Sequence, residues 1–217
     1  TGAASTNLAV YYSRRATELG AAALMCTPPA PGFSLDAVIG YYQAISDAAR
    51  LPVVIQDTPA TPVAASAIRT VANACKYVTY AKVESVPPAL QVYKAVQDAG
   101  DAVEVFGGAG GGQFLQELRR GSIGTMPFPS SARAFVQVWD AWQAGDNATA
   151  QAVFDTQIAS LLAIQVGSLG GAHQVHKEAL RRQGVIRTSY VRPPFEPLDP
   201  MTREDLEDVF ARKGWTA

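Results

Sequence analysis

The sequence predicts an α/β fold built on a parallel sheet, and three observations carry that prediction. Short, largely apolar runs of strand length recur at residues 22–26, 53–57, 77–83, 103–106 and 122–126. Each is followed by a stretch with helical periodicity and recognisable start or stop residues. The runs are too apolar for strands with one wet face, so helices must cover the sheet on both sides.

Taken in order, a helix opens at Ser5 or Thr6 and closes at Gly20, and the run 22–26 follows it as a buried strand. A second helix is expected from about Ser34 to Ala49, before strand 53–57, and a third from about Ser66 to Ala74, before strand 77–83. Pro87-Pro88 can begin the next helix, because proline is tolerated in a first turn, and Gly100 can end it in a left-handed cap. Strand 103–106, the turn Gly107-Gly-Ala-Gly-Gly-Gly112, a helix over 113–120, strand 122–126 and a helix over about 130–144 complete the alternation. From Asp146 onward only helices are expected, at about 147–166, 171–183 and 203–212, the last capped by Thr202 with Asp205 three residues on. Residues 1–145 are therefore expected to form the βα part, and 146–217 a C-terminal helical region of the same domain. Periodicity leaves two architectures open, a doubly wound sheet or part of a (β/α)8 barrel.

Both architectures put ligands at the carboxyl ends of the strands, which directs attention to Thr27, Gln56, Asp57, Lys82, Glu84, Gly107, Gly108 and Thr125. Lys82 stands out. An ammonium at a strand end among Val78, Tyr80 and Val83 is poorly hydrated, and desolvation favours the neutral amine that can attack a ketone. The competing reading is a lysine whose charge reaches solvent along its own stem. Two steps of strand alternation bring Glu84 to the side of Lys82, as a base or proton shuttle or as a structural acceptor.

Composition narrows the function further. The 217 residues are 48% hydrophobic and 17% charged, with a formal net charge of −1, so nothing favours a nucleic-acid or anionic-membrane partner. No apolar run approaches the roughly 20 residues of a membrane span, and residues 1–7 are no signal peptide. Cys26 and Cys75 lack a Cys-x-x-Cys spacing and read as buried thiols, which fits a soluble protein in a reducing, cytoplasmic setting. The glycine cluster breaks the dinucleotide fingerprint at Gln113 and lacks the lysine of a P-loop, leaving substrate contact or tight helix packing. His173, His176 and Glu178 share a helix without a third ligand residue, so a solvated face is expected there and no metal. Trp139 and Trp142 read as a packing stripe, and no G-x-S-x-G elbow supports a hydrolase.

The segments Leu19 to Pro28, Leu51 to Pro59, Tyr80-Ala-Lys-Val-Glu84, Phe106-Gly-Gly and Gly121-Ser-Ile-Gly-Thr125, in this order and spacing, resemble the dihydrodipicolinate synthase and N-acetylneuraminate lyase superfamily. Val185-Ile-Arg187 and Val191 to Leu198 resemble its C-terminal helical region. The resemblance implies a TIM (β/α)8 barrel with added helices, a homotetramer, no cofactor, and a lysine Schiff base on a small 2-oxo acid. It makes Lys82 the Schiff-base lysine and Ile123 a residue lining the pyruvate site. It begins at Thr1-Gly2, matching the end of the third barrel strand, so the chain is expected to hold only the later five βα units and to omit an N-terminal segment with the carboxylate-binding turn.

Departures from the family pattern direct the choice of reaction. Pro29-Ala30 stands where synthases carry a tyrosine pair, and Gln56 stands where they carry a proton-relaying tyrosine, although an amide is neither acid nor base. The run Lys82-Val-Glu84 with Gln56-Asp57 and Gly124-Thr-Met-Pro127 looks closer to the 2-keto-3-deoxy sugar-acid dehydratases. The expected chemistry is dehydration by a Schiff-base lyase, with Lys82 as nucleophile, Glu84 as base, and Gln56 and Thr125 orienting the substrate. The alternatives are an aldol-type synthase or lyase using pyruvate, and a non-catalytic relative with a binding or assembly role.

Overall fold

A computed structural model describes residues 1–29, 32–164 and 170–215. Ala30 and the last two residues of the expected helix 147–166 therefore lie outside the described residues. The chain divides into two compact units, Thr1–Met126 and Pro127–Ala217.

In the first unit, four strands lie parallel and in sequence order: β1 (Leu24–Cys26), β2 (Val53–Asp57), β3 (Val78–Val83) and β4 (Glu104–Phe106). Helix α1 (Thr6–Glu18) precedes them, and α2 (Leu35–Ala49), α3 (Ala65–Ala74) and α4 (Pro88–Ala99) make the crossovers that parallel pairing requires. The cap residues read from the sequence are in place: Ser5 Oγ accepts from the Leu8 N–H and Ser34 Oγ from the Ala37 N–H, both at 3.3 Å. Each such cap contributes about 1 kcal/mol. One face of the sheet packs into a core with the helices, where Cys26, Ile55, Ala81 and Val105 meet Tyr42, Ile45, Val71 and Val92. Tyr42 ties the two layers together by donating its hydroxyl to the Cys26 carbonyl at 2.8 Å.

The expected fifth strand, 122–126, is reduced to a single parallel bridge between Gly107 and Thr125. Main-chain bonds still carry the segment beside β4, from Ile123 N to Val105 O at 2.9 Å and from Gly107 N to Gly124 O at 2.9 Å. A regular strand fails because Gly124 has φ +155° and Ser122 Oγ captures its carbonyl at 2.5 Å and its N–H at 3.1 Å. A side chain that bonds neighbouring backbone groups in this way competes with the ladder.

A register shift in β3 also alters the predicted surroundings of Lys82. Val53 pairs with Val78 but Val54 pairs with Tyr80, leaving Thr79 as an extra residue. Val78 is therefore in phase with Ala81 and Val83, and all three join the helix-side core. Lys82 lies on the opposite face with Tyr80, whose ring is 5.8 Å from that of Phe106. The expectation that Val78 and Val83 enclose the lysine is thus corrected by a bulge, which shifts alternation by one residue.

The second unit is helical. Helix α6 (Ala132–Gln143), expected with the βα series, packs on α7 (Asn147–Val153) within this unit, and α7 runs on into a π-helical turn at Phe154–Ala159. The last helix, Pro200–Arg212, starts earlier than expected. Asp199, not Thr202, is its cap, accepting from the Thr202 N–H at 2.9 Å and its hydroxyl at 2.5 Å. Pro200 fills the first helical position, where its missing N–H costs nothing. No helix among the described residues is long and apolar enough to cross a membrane, and both cysteines are buried free thiols.

Candidate active site

The carboxyl ends of β2, β3 and β4 bring three residues side by side, because Gln56 pairs with Lys82 and Lys82 with Phe106 in the parallel register. Glu84 stands one residue beyond β3. Its Oε2 lies 3.0 Å from Lys82 Nζ, with the two side chains only 11% and 16% exposed. Gln56 Nε2 donates to the same oxygen at 3.0 Å, and the Ala109 N–H donates to Oε1 at 2.9 Å. The lysine is thus half of a nearly buried ion pair, a counter-charge that the strand pattern alone did not require.

Two opposing causes set the state of Glu84. Burial acts to raise its proton affinity, but the Gln56, Ala109 and Lys82 donors together outweigh burial and hold the carboxyl below its ordinary range. Glu84 is a carboxylate at neutral pH, directed at an amine.

The turn that presents Glu84 is braced by Asp57. This buried side chain accepts from the Val63 N–H at 2.8 Å, the Glu84 N–H at 3.2 Å, the Ser85 N–H at 2.9 Å and the Ser85 hydroxyl at 2.6 Å. All four donors are internal, so the contacts of Asp57 hold the end of β3 in place and do not face a ligand. Thr27 follows the edge strand β1 and packs against Gly2, where an added Cβ would come within 2.9 Å of its hydroxyl. Ile123 is half-buried beside β4, and Thr125 Oγ1, next to Gly107, is buried without a hydrogen-bond partner among the described residues.

Gly107 and Gly108 are buried and closely approached. A Cβ on Gly108 would stand 2.5 Å from Glu84 Cγ, and one on Gly107 would stand 1.8 Å from Oε2 of Glu117. Only glycine lets both carboxyls lie against this turn. Gly107→Ala is expected to cost about 1–3 kcal/mol through this overlap, read as a lower urea midpoint. An unchanged midpoint would mean that the Glu117 side chain can swing away.

Glu117 is the residue that sequence reasoning missed. It lies on the short helix α5 (Phe114–Leu118) with no exposed surface, and neither carboxyl oxygen has a hydrogen-bond partner among the described residues. Desolvation first, and the charge of Glu84 second, push it up to about 7. The available signal was a single glutamate in the apolar stripe of Phe114, Leu115 and Leu118.

In the second unit, the expected solvated face holds for His173 but not for His176. His176 is buried, stacks on Phe128 with ring centroids 3.9 Å apart, and has Nδ1 2.6 Å from the Ser130 hydroxyl. Burial, with a smaller contribution from His173, pushes it down to about 4, so it is a neutral packing histidine. Glu178 is held by Arg181 and Arg182. Among the described residues, no three His, Cys, Asp or Glu side chains gather to hold a metal ion.

Comparison with known proteins shows the family and the fold. The model of the dihydrodipicolinate synthetase family matches residues 1–213. L-2-keto-3-deoxyarabonate dehydratase of Azospirillum brasilense is 30% identical over 218 residues, covering 96% of this chain and 69% of that protein. Dihydrodipicolinate synthase of Rhodopseudomonas palustris superposes with a TM-score of 0.84 at 24% identity, over 97% of this chain and 72% of that one. A prophage protein of the dihydrodipicolinic acid synthase family from E. coli, solved in complex with pyruvate, gives 0.86 at 21% identity over 100% and 74%. These structural likenesses carry the fold, a parallel α/β architecture of the TIM-barrel kind, while the matched family model and the dehydratase relative carry the kinship. The chain belongs to the dihydrodipicolinate synthetase family.

Proposed function

We propose that this family member is a Schiff-base lyase that dehydrates a 2-keto-3-deoxy sugar acid, with Lys82 as nucleophile and Glu84 as the proton carrier. The observation that supports this reading best is the 3.0 Å contact of Lys82 Nζ with a carboxylate oxygen that Gln56 also holds. A relative named as a 2-keto-3-deoxy acid dehydratase supports the choice of substrate class.

One carboxyl can serve each proton transfer in turn. Glu84 takes a proton from Lys82, and the neutral amine attacks the C2 carbonyl of the 2-oxo acid. Glu84 returns that proton to the carbinolamine hydroxyl, which leaves as water, and the iminium forms. The iminium withdraws electrons from C3, so the Glu84 carboxylate can remove a C3 proton, and the released pair forms the enamine. The enamine then expels the C4 hydroxyl, protonated by Glu84, as a second water, and hydrolysis frees Lys82. Gln56, which cannot titrate, fixes the position of Glu84. Thr125, whose buried hydroxyl has no hydrogen-bond partner among the described residues, and Ile123, Gly107, Gly108 and Thr27 are the proposed substrate contacts; Asp57 acts at a distance, as a brace.

Glu84→Gln tests the assignment. The amide keeps the shape but carries no transferable proton charge, and the dehydration rate is expected to fall by about 100-fold or more. An unchanged rate would remove Glu84 from the mechanism. Incubation of the full chain with pyruvate and borohydride tests the class, with a reduced adduct on Lys82 expected by peptide mapping. An aldol-type reaction on pyruvate is the second reading, supported by the relative solved with pyruvate. It is separated from dehydration by assaying pyruvate release against semialdehyde formation. A cytoplasmic homo-oligomer, a tetramer as the resemblance implies, completes the proposal.

A further inference from the structure

The carboxyl of Glu117 calls for a physical account, because a buried polar group with no partner is rare and costly. Its position is specific. Gly107 and Gly108 are consecutive, and each is pressed on by a different glutamate, Gly107 by Glu117 and Gly108 by Glu84. A Cβ on Gly107 would run into Glu117, and a Cβ on Gly108 into Glu84, so the two carboxyls approach the turn from different directions. The two glycines therefore form a thin partition, with Glu84 and Lys82 on one side and Glu117 on the other. The Ala109 N–H, next along the same turn, donates to Glu84 Oε1.

The other titratable groups on the elements next to α5 lie at the surface. Tyr93, Lys94 and Asp98 on α4, Glu104 on β4, and Arg119 and Arg120 flanking α5 are all exposed. Glu84 is the charge that adds to burial in raising Glu117. Such coupling is mutual: if ionised Glu84 makes Glu117 hold its proton, ionised Glu117 makes Glu84 hold its proton by the same amount.

We propose that Glu117 is a positioning residue of the Lys82–Glu84 site, acting from behind the Gly107–Gly108 turn and setting by its own charge how readily Glu84 releases a proton. This rests on the reading of Lys82 and Glu84 as the reacting pair. With Glu117 neutral, Glu84 can take a proton and return it. With Glu117 ionised, a second negative charge stands behind the turn, and Glu84 returns protons to the departing hydroxyl more slowly. Imine formation should therefore weaken above the pH at which Glu117 ionises.

The test is the rate of borohydride trapping of pyruvate on Lys82, measured in the full chain from about pH 5 to about pH 9 for the wild type and Glu117→Gln. The amide preserves the shape of the side chain but stays neutral. The ratio of the rate at high pH to that at low pH is expected to be at least about threefold larger in Glu117→Gln, equivalent to a half-unit shift in the alkaline midpoint. Superimposable profiles, or a uniform loss at every pH, would overturn the inference while leaving the Schiff-base reading intact. Absence of any adduct in the wild type would overturn both. Carboxyl carbon shifts of glutamate-labelled wild-type protein give an independent readout that needs no variant. Glu84 is expected to respond a second time as Glu117 ionises near pH 7, and a single, independent Glu84 titration would overturn the coupling.

Discussion

Lys82→Ala is expected to abolish the pyruvate–borohydride adduct and to lower turnover of a 2-keto-3-deoxy sugar acid by at least about 1,000-fold, or ~4 kcal/mol of barrier. The reason is chemical. Without an amine there is no iminium, and without an iminium the C3–H bond is too weak an acid for a carboxylate to break. The substitution also leaves Glu84, 16% exposed, without its counter-charge, which lowers stability in its own right. Lys82→Arg separates the two effects, since a guanidinium retains the charge opposite Glu84 but is not deprotonated in proteins. Both variants should lack the adduct, while the arginine variant should keep more of the wild-type thermal stability. An adduct that persists in either, mapped to another lysine, would end the assignment of Lys82.

Glu117→Gln is expected to remove a fall in stability between about pH 4.5 and pH 7. In the folded protein this carboxyl is pushed up to about 7 from an ordinary value of 4.5, so between those pH values the native state binds more protons than the unfolded state. Stability contributed at this position therefore falls as pH rises through that window, and the full penalty is present above pH 7. The size is about 3 kcal/mol for a group with no exposed surface. The amide escapes the penalty, so the variant should be more stable than the wild type by about that amount at pH 8 and lose this advantage below about pH 4.5. Glu84 works in the opposite sense. Its folded value is depressed, so its contribution is complete above its ordinary value and is lost as pH falls through the folded one. Urea midpoints at about pH 5 and pH 8 measure the difference; a gap between the two proteins that does not change with pH would mean that Glu117 does not titrate.

Much of the fold was legible in the sequence because the signals are local. Ser5 and Ser34 satisfy N–H groups three residues away, and Gly100 stops α4 by its own backbone freedom. The limits of β2 follow from five consecutive residues, Val53–Asp57. The meeting of Lys82 and Glu84 was legible for the same reason: two steps along one strand direction require no knowledge of any other segment. Where the sequence reading failed, the deciding partner was distant or a local bond was stronger than the pattern. The bulge at Thr79 rephased Val78 because β2 dictates the register of β3. Ser122 took the backbone of Gly124 and stopped a fifth strand.

The sequence by itself thus determined the order of βα elements, the strand end that carries the lysine, and the carboxylate beside it. Only the tertiary structure decided what the other carboxyls do. Asp57 became a brace because four donors from the chain after β2 and β3 converge on it. Glu117 became a group with a raised proton affinity because folding buried it and, among the described residues, supplied no donor in exchange. Periodicity places a side chain on a face, but its charge depends on the solvation and partners it meets there, and those come from residues brought together by the fold.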